Sequence, residues 1–418
     1  MDYPYFYRLY YEKALNRNVN EVYEQRLHSI ATQVFPFNMY PSNKSTDVPT
    51  YFTHNPGTTQ LMSQIYIQDK KTDHLVRRLP GIVQSALVRD IFAEELFHTN
   101  EIEGVKSTKE QFVRSAHLLE NKKEPTGRFA SLVKTYYRLI SGEVDTPTEP
   151  GDVRTFYDLL VADEIEEKEL PDGKWFRTEP TYLYKGTKSG KPIHVGMTPE
   201  QQIIDAVKTL LQFLNAEDVP LLIRVAVGHY YFGYIHPFYD GNGRTSRFIS
   251  SLYMKEEFHT LTALSLSRAC NLNRSQYLEA FEKTNDVSMQ GEMNFFIDRF
   301  LGLFLETQIR MNEELRRNLY RFEAMKHALQ DEPFLSKHPK HHEIIYILSL
   351  HEIFSEEAGL LTPDLVRIAS ESNHPLGEAT ARATVTDLVR QGFVEVEKVG
   401  RYNMYHLSSS FRERVMLE

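Results

Sequence analysis

From Leu221 to Ile235 the chain runs through a mostly apolar segment of helical length, and His236-Pro237 stops it. A residue that precedes proline is pushed out of the α region, so the helix has to end there. From Thr245 to Phe258 apolar residues recur at helical spacing. The centre of the chain is therefore two buried helices joined by a short loop, and the loop closes on a helix N-terminus.

That loop reads His236-Pro237-Phe238-Tyr239-Asp240-Gly241-Asn242-Gly243-Arg244-Thr245-Ser246-Arg247. Its chemistry suits phosphate. Free backbone N–H groups and the positive end of the helix dipole converge on Gly241-Asn242-Gly243. The glycines permit positive φ and close approach of an anion. Arg244 and Arg247 are three residues apart and project from one face of the first turn. Cations are disfavoured by the dipole at that end, so two of them imply an anionic partner. Asp240 is an oxygen donor beside the cradle and suits Mg²⁺. His236 is the loop's one group able to take a proton near neutral pH.

The rest of the chain is mostly helical in pattern. Residues 1–80 read as an N-terminal helical extension, with turn-rich punctuation at Pro41-Ser42-Asn43 and His54-Asn55-Pro56-Gly57. Val83 to Ile102 is helical, with Gly104 as its stop, and Ser107 with Glu110 reads as the capping box of the next helix. Thr181–Tyr184 and Pro192–Val195 are strand-like runs around a Gly/Lys/Ser loop, which suggests a β-hairpin. Leu303–Ala328 reads as one long helix. After it, about 335–418 has three helices and two strand-like runs, Phe393–Val396 and Tyr402–Leu407, an order that suggests a winged helix-turn-helix.

Composition excludes several classes. The single cysteine, Cys270, permits no intrachain disulfide framework. The run from Tyr3 to Tyr11 is too short and too interrupted by charge for a signal sequence, and no segment approaches a membrane span. A soluble, cytoplasmic protein is expected. A formal net charge of −9 argues against sequence-independent nucleic-acid binding over the whole surface.

The loop matches His-Pro-Phe-x-x-Gly-Asn-Gly-Arg-x-x-Arg at every fixed position, so the chain resembles the Fic-domain adenylyltransferases. The resemblance covers roughly residues 80–310. It implies an all-α catalytic core over 81–310 with a small β-hairpin flap, preceded by the extension at 1–80. A connector helix at 311–334 and a winged-helix-like α+β domain at 335–418 then complete a mainly α chain. It implies AMP transfer from ATP, with Mg²⁺, to a Tyr, Thr or Ser hydroxyl of a protein target. His236 would be the base, Asp240 the metal ligand, Gly241, Asn242 and Gly243 the phosphate turn, and Arg244 and Arg247 the grip on the outer phosphates. Ile193, His194 and Val195 fall in the flap that aligns a target strand, Tyr277 would pack on the nucleoside, and Asn285 would lie near the base.

Thr99-Asn100-Glu101-Ile102-Glu103-Gly104 resembles the family's inhibitory Ser/Thr-x-x-x-Glu-Gly/Asn signature, placed here on the helix at 83–104. By that resemblance Glu103 pairs with Arg247 and restrains the free enzyme, and the same site could also remove AMP from modified proteins. The alternative is a DNA-binding regulator that uses the C-terminal domain and keeps the core as a sensor. Residues 335–418 hold nine Lys and Arg against twelve Asp and Glu, a net of −3, which disfavours DNA. Arg382, Arg390, Lys398 and Arg401 leave a local stripe open, and a homodimer is left open as well.

Overall fold

The computed structural model describes residues 3–11, 18–43, 46–161, 164–184, 192–355, 359–372 and 374–414. It is mainly helical, with three small antiparallel sheets. The chain divides into two compact units, Met1–Lys70 with Val88–Ile309 and Lys71–Leu87 with Arg310–Glu418. No helix among the described residues is long and apolar enough to cross a membrane.

The first unit opens on two helices, Phe6–Tyr11 and Val19–Leu27, and another helix starts at Pro56; between them stands a strand pair, β1 (Thr32–Met39) and β2 (Val48–Thr53), which the expectation of a helical extension does not include. The reason is legible afterwards. Phe35, Phe37 and Met39 alternate with exposed positions, which is period two and not helical. Pro36 sits where the register shifts between Val34 and Asn38, a place where its missing N–H removes no ladder bond.

The helices that carry the site follow: α1 (Gly81–Ile102), α2 (Pro150–Val161), then β3 (Tyr182–Leu183) and β4 (His194–Val195). After them come α3 (Glu200–Leu214), α4 (Leu221–Ile235), α5 (Asn242–Glu257), α6 (Leu266–Leu272) and α7 (Arg274–Thr284). Every residue of α4 except Gly233 is buried, as a helix apolar on all sides requires. It packs between α3 and α5, and α2 covers α5. The helix after α1 starts one residue later than the sequence suggests. Thr108 and Gln111 form the capping box, Thr108 Oγ1 accepting from Gln111 N, in place of Ser107 and Glu110. Both tetrads fit the capping pattern, and sequence alone does not choose between them. The β3–β4 pairing is Tyr182 with Val195 and Leu183 with His194. The expected Gly/Lys/Ser loop between them lies outside the described residues.

The long helix α8 runs from Asn294 to Asp331, longer at both ends than its sequence pattern indicates. In the second unit α9 (Pro339–Phe354), β5 (Leu360–Leu361), α10 (Thr362–Glu371), α11 (Glu378–Arg390), β6 (Val394–Val399) and β7 (Tyr402–Leu407) follow in order. The sheet order is β5-β7-β6, over a core that includes Ile345, Leu348, Leu365, Val385, Leu388 and Leu407. The two residues of β5 pair with Tyr405 and Met404, and they are too few to show any period in the sequence.

Candidate active site

The loop from α4 to α5 is held closed by its own residues. His236 caps α4 in the left-handed region at φ 52°, ψ 62°. Phe238 is fully buried and stacks on Tyr157 of α2 at 3.9 Å, with Phe176 edge-on at 5.6 Å. Removing that ring from water stabilises the loop by on the order of 2 kcal/mol. Asn242 then bridges the turn. Its Oδ1 accepts from Phe238 N at 2.9 Å and its Nδ2 donates to Phe238 O at 2.8 Å.

A residue that the sequence does not mark, Arg177, fixes the other side. Its guanidinium is completely buried, and it donates to the carbonyls of His236 at 2.8 Å, Met197 at 2.7 Å and Glu179 at 2.5 Å. A cation is favoured at the C-terminal end of α4, where carbonyls lack intrahelical partners. Burial pushes its pKa down to about 10, so it remains charged at neutral pH. Arg177→Met strands these carbonyls in the interior, and unfolding should become easier by about 3 kcal/mol. The urea midpoint read from the fluorescence of Trp175, the chain's single tryptophan, checks this. An unchanged midpoint would exclude the clamp.

The half-buried His236 ring has two side-chain neighbours at Nδ1, Thr181 Oγ1 at 3.2 Å and Asn242 Nδ2 at 3.2 Å. Burial pushes its pKa down to about 3, with His194 and Arg177 adding to the effect and the Phe238 backbone opposing it. The ring is therefore neutral and able to accept a proton throughout the neutral range.

The N-terminus of α5 is the second half of the site. Gly241 caps it at φ 79°, and the N–H groups of Asn242, Gly243 and Arg244 lie in the first turn, where no intrahelical acceptor exists. Arg244 and Arg247 are almost fully buried. Arg247 Nε donates to Thr99 Oγ1 at 2.9 Å, and its NH2 group donates to Thr99 O at 3.1 Å and to Glu103 Oε1 at 2.7 Å. Burial alone would depress this guanidinium, but the adjoining Glu103 carboxylate holds it above its ordinary value. A Cβ on Gly243 would collide with that carboxylate, so Glu103 lies directly over the open helix end. Arg244 faces the buried Glu164 at 3.4 Å, and its Nε and NH1 atoms are buried with no hydrogen-bond acceptor. Asp240 is exposed at the mouth of the turn, with Oδ1 accepting from Gly241 N.

The remaining sequence candidates fall nearby. Tyr277 is buried, its hydroxyl 2.8 Å from His229 Nε2 and its ring edge-on to Phe281. His229 is held down to about 3 by burial and by Arg247. Asn285 caps α7, with Nδ2 donating to Ile193 O at 3.4 Å and Oδ1 buried without a partner. Ile193 is exposed, His194 is buried with Nε2 2.7 Å from Tyr234 O, and Val195 is partly covered. Arg177, Thr181, Glu164 and Glu95 are the neighbours that the sequence leaves unmarked. Glu95 lies on α1, eight residues before Glu103, which sits in the turn just past the helix end. Burial pushes the Glu95 pKa up to about 7, against hydrogen bonds from Ser267 and the nearby Arg247.

Among solved structures the chain is similar to a Fic family protein from Desulfovibrio desulfuricans, at 16% identity and a TM-score of 0.49. That match covers 85% of this chain and 97% of that one. It is similar to Fic-1 from C. elegans at 17% identity, TM-score 0.42, over 63% of this chain and 73% of that one. A Fic domain containing signaling protein from Bacteroides thetaiotaomicron matches at 16% identity and TM-score 0.42, over 62% of this chain and 96% of that one. The segment that contains the loop, residues 147–254, matches the sequence model of the Fic/DOC family.

Proposed function

We propose that the chain is a protein adenylyltransferase, moving AMP from ATP to a Tyr, Thr or Ser hydroxyl of a protein target. One observation carries the reading. Two buried arginines and an open helix N-terminus converge beside a neutral, half-buried histidine, inside the segment that matches the Fic/DOC family. The target oxygen bonds to the α-phosphorus as the bond from that phosphorus to the pyrophosphate oxygen breaks, and the hydroxyl proton passes to His236. The arginines and first-turn N–H groups stabilise the phosphate charge, so catalysis is mainly positioning and electrostatics.

The site fits the groups that this chemistry requires. The Nε of Arg244, buried without an acceptor, suits a phosphate oxygen, and the unpaired Oδ1 of Asn285 suits an N–H donor of the base. Among the described residues no cluster of three His, Cys, Asp or Glu could hold a metal. Mg²⁺ would rest on Asp240 and the phosphates, as is usual for that ion, and would neutralise phosphate charge. The exposed Tyr182, Leu183 and Ile193 of the flap offer apolar cover for a target strand added by main-chain pairing.

Glu103 on Arg247 fits a restrained resting enzyme, and removal of AMP is a second reaction open to the same groups. We read the C-terminal unit as winged-helix-like and as a partner-binding or dimerisation unit. In its helix α11, the exposed Arg382 pairs with Glu378 at 2.9 Å, and the unit as a whole carries no basic excess. Incubation with α-labelled ATP, Mg²⁺ and a host lysate tests the main reading. Label on a protein band from α-labelled but not γ-labelled ATP is expected. Label from the γ position alone would overturn AMP transfer.

A further inference from the structure

Thr181 stands just before β3 and reaches across to the site. Its carbonyl accepts from Gly196 N at 3.0 Å, which closes the base of the hairpin, and its hydroxyl lies 3.2 Å from His236 Nδ1. Gly196 leaves the corridor for that hydroxyl. A Cβ there would come within 2.6 Å of Thr181 Oγ1, 3.2 Å of His236 Cβ, and into Arg177 NH2.

The two side chains at Nδ1 are not equivalent. The amide orientation of Asn242 is set by its two hydrogen bonds with the Phe238 backbone, so its Nδ2 faces the ring as a donor. A donor there favours a bare Nδ1 and a proton on Nε2. The Thr181 hydroxyl can donate to a bare Nδ1 or accept from Nδ1–H, so of the two side chains it alone can serve the opposite tautomer, with Nδ1 protonated and Nε2 bare. A ring that has taken a second proton has N–H at both nitrogens, and Asn242 then offers it nothing. Arg177, the cation facing the ring, opposes that state, and so would a charge on His194, which burial disfavours; the Phe238 backbone favours it whatever occupies position 181.

We infer that Thr181 is a positioning residue for His236: its hydroxyl accepts the Nδ1–H, keeps Nε2 bare for the incoming hydroxyl proton, and ties the base to the flap. This rests on the proposed role of His236 as proton acceptor. A flap that lifts Thr181 away removes the side-chain acceptor at Nδ1 and leaves Asn242 there, which favours the unproductive tautomer, so transfer is coupled to the flap strand that aligns the target.

The test uses the full chain with Glu103→Gly, in wild-type form at 181 and as Thr181→Val and Thr181→Ser. Nitrogen-15 spectra of the His236 ring at pH 8 report the tautomer, and α-labelled ATP reports the rate. Thr181→Val should shift the ring toward the Nε2–H form and lower kcat on the order of tenfold, a fraction of what a positioned base contributes. KM for ATP should hold, and Thr181→Ser should restore both readouts to within about twofold. An unchanged tautomer in Thr181→Val, or failure of Ser to restore it, overturns the inference. The tautomer readout does not depend on which group is transferred, so it separates this inference from the proposed AMP chemistry.

Discussion

Glu103→Gly should raise AMP incorporation by the purified chain ten- to a hundredfold, equivalent to about 1.4–2.7 kcal/mol of barrier. The carboxylate occupies both a donor of Arg247 and the space over Gly243, so it holds off an anion by charge and by volume. Glu103→Asp should give a partial rise, since the shorter side chain reaches Arg247 less well. Glu101→Ala should leave the rate alone, because that carboxylate faces Asn271 and His98. Glu103→Gly should also cost stability, about 1–3 kcal/mol, because Arg247 stays buried with Thr99 as its remaining hydrogen-bond acceptor. Saturating ATP should recover more of that loss in Glu103→Gly than in wild type, since ligand binding to the folded state stabilises it by mass action. AMP incorporation and thermal melts of the variants under identical ATP and Mg²⁺ decide the matter. Equal rates in all of them would leave Glu103 as an ordinary helix-end acid.

His236→Ala should lower transfer by on the order of 10²–10⁴-fold, the usual contribution of a positioned base. ATP affinity should change little, because in the proposed mechanism the ring serves the attacking hydroxyl and the arginines hold the nucleotide. The pH profile carries a sign. The base is active when neutral, and burial holds its pKa near 3 in the free protein, so activity should fall only as pH drops well below the ordinary imidazole value. The acid limb of kcat/KM, which reports the free enzyme, should therefore lie below about 6.5. The wild-type rate in His236→Ala would refute the base assignment.

What the sequence discloses here follows the range of the interactions. The loop from His236 to Arg247 is local, and its proline stop, glycines and paired arginines state its geometry without help from the rest of the chain. The approach of Glu103 to Arg247 spans 144 residues, and only the resemblance of the Thr99–Gly104 string points to it. Arg177 and Thr181 escape notice for a different reason. One binds mostly carbonyls and the other reaches its ring through a gap left by a distant glycine, and neither leaves a pattern of residue types. The β1 strand shows the opposite failure. Its alternation is plain at Phe35, Phe37 and Met39, but the aromatic and helical run before it and the proline within it favour another reading.

The empty place at Gly243 sets a thermodynamic constraint on how this protein could be switched. The carboxylate of Glu103 stands over the helix end where an anion would sit, so the two occupants compete for one volume and one guanidinium. Competition of that kind is reciprocal: whatever factor Glu103 takes from the affinity for the anion, the anion takes from the hold of α1 on the loop. A tight-binding nucleotide is then itself a lever on α1, and a partner that draws α1 away is, by the same factor, a promoter of nucleotide binding. Filling the gap cannot imitate either event, because a side chain at 243 would exclude the Glu103 carboxylate and an anion together.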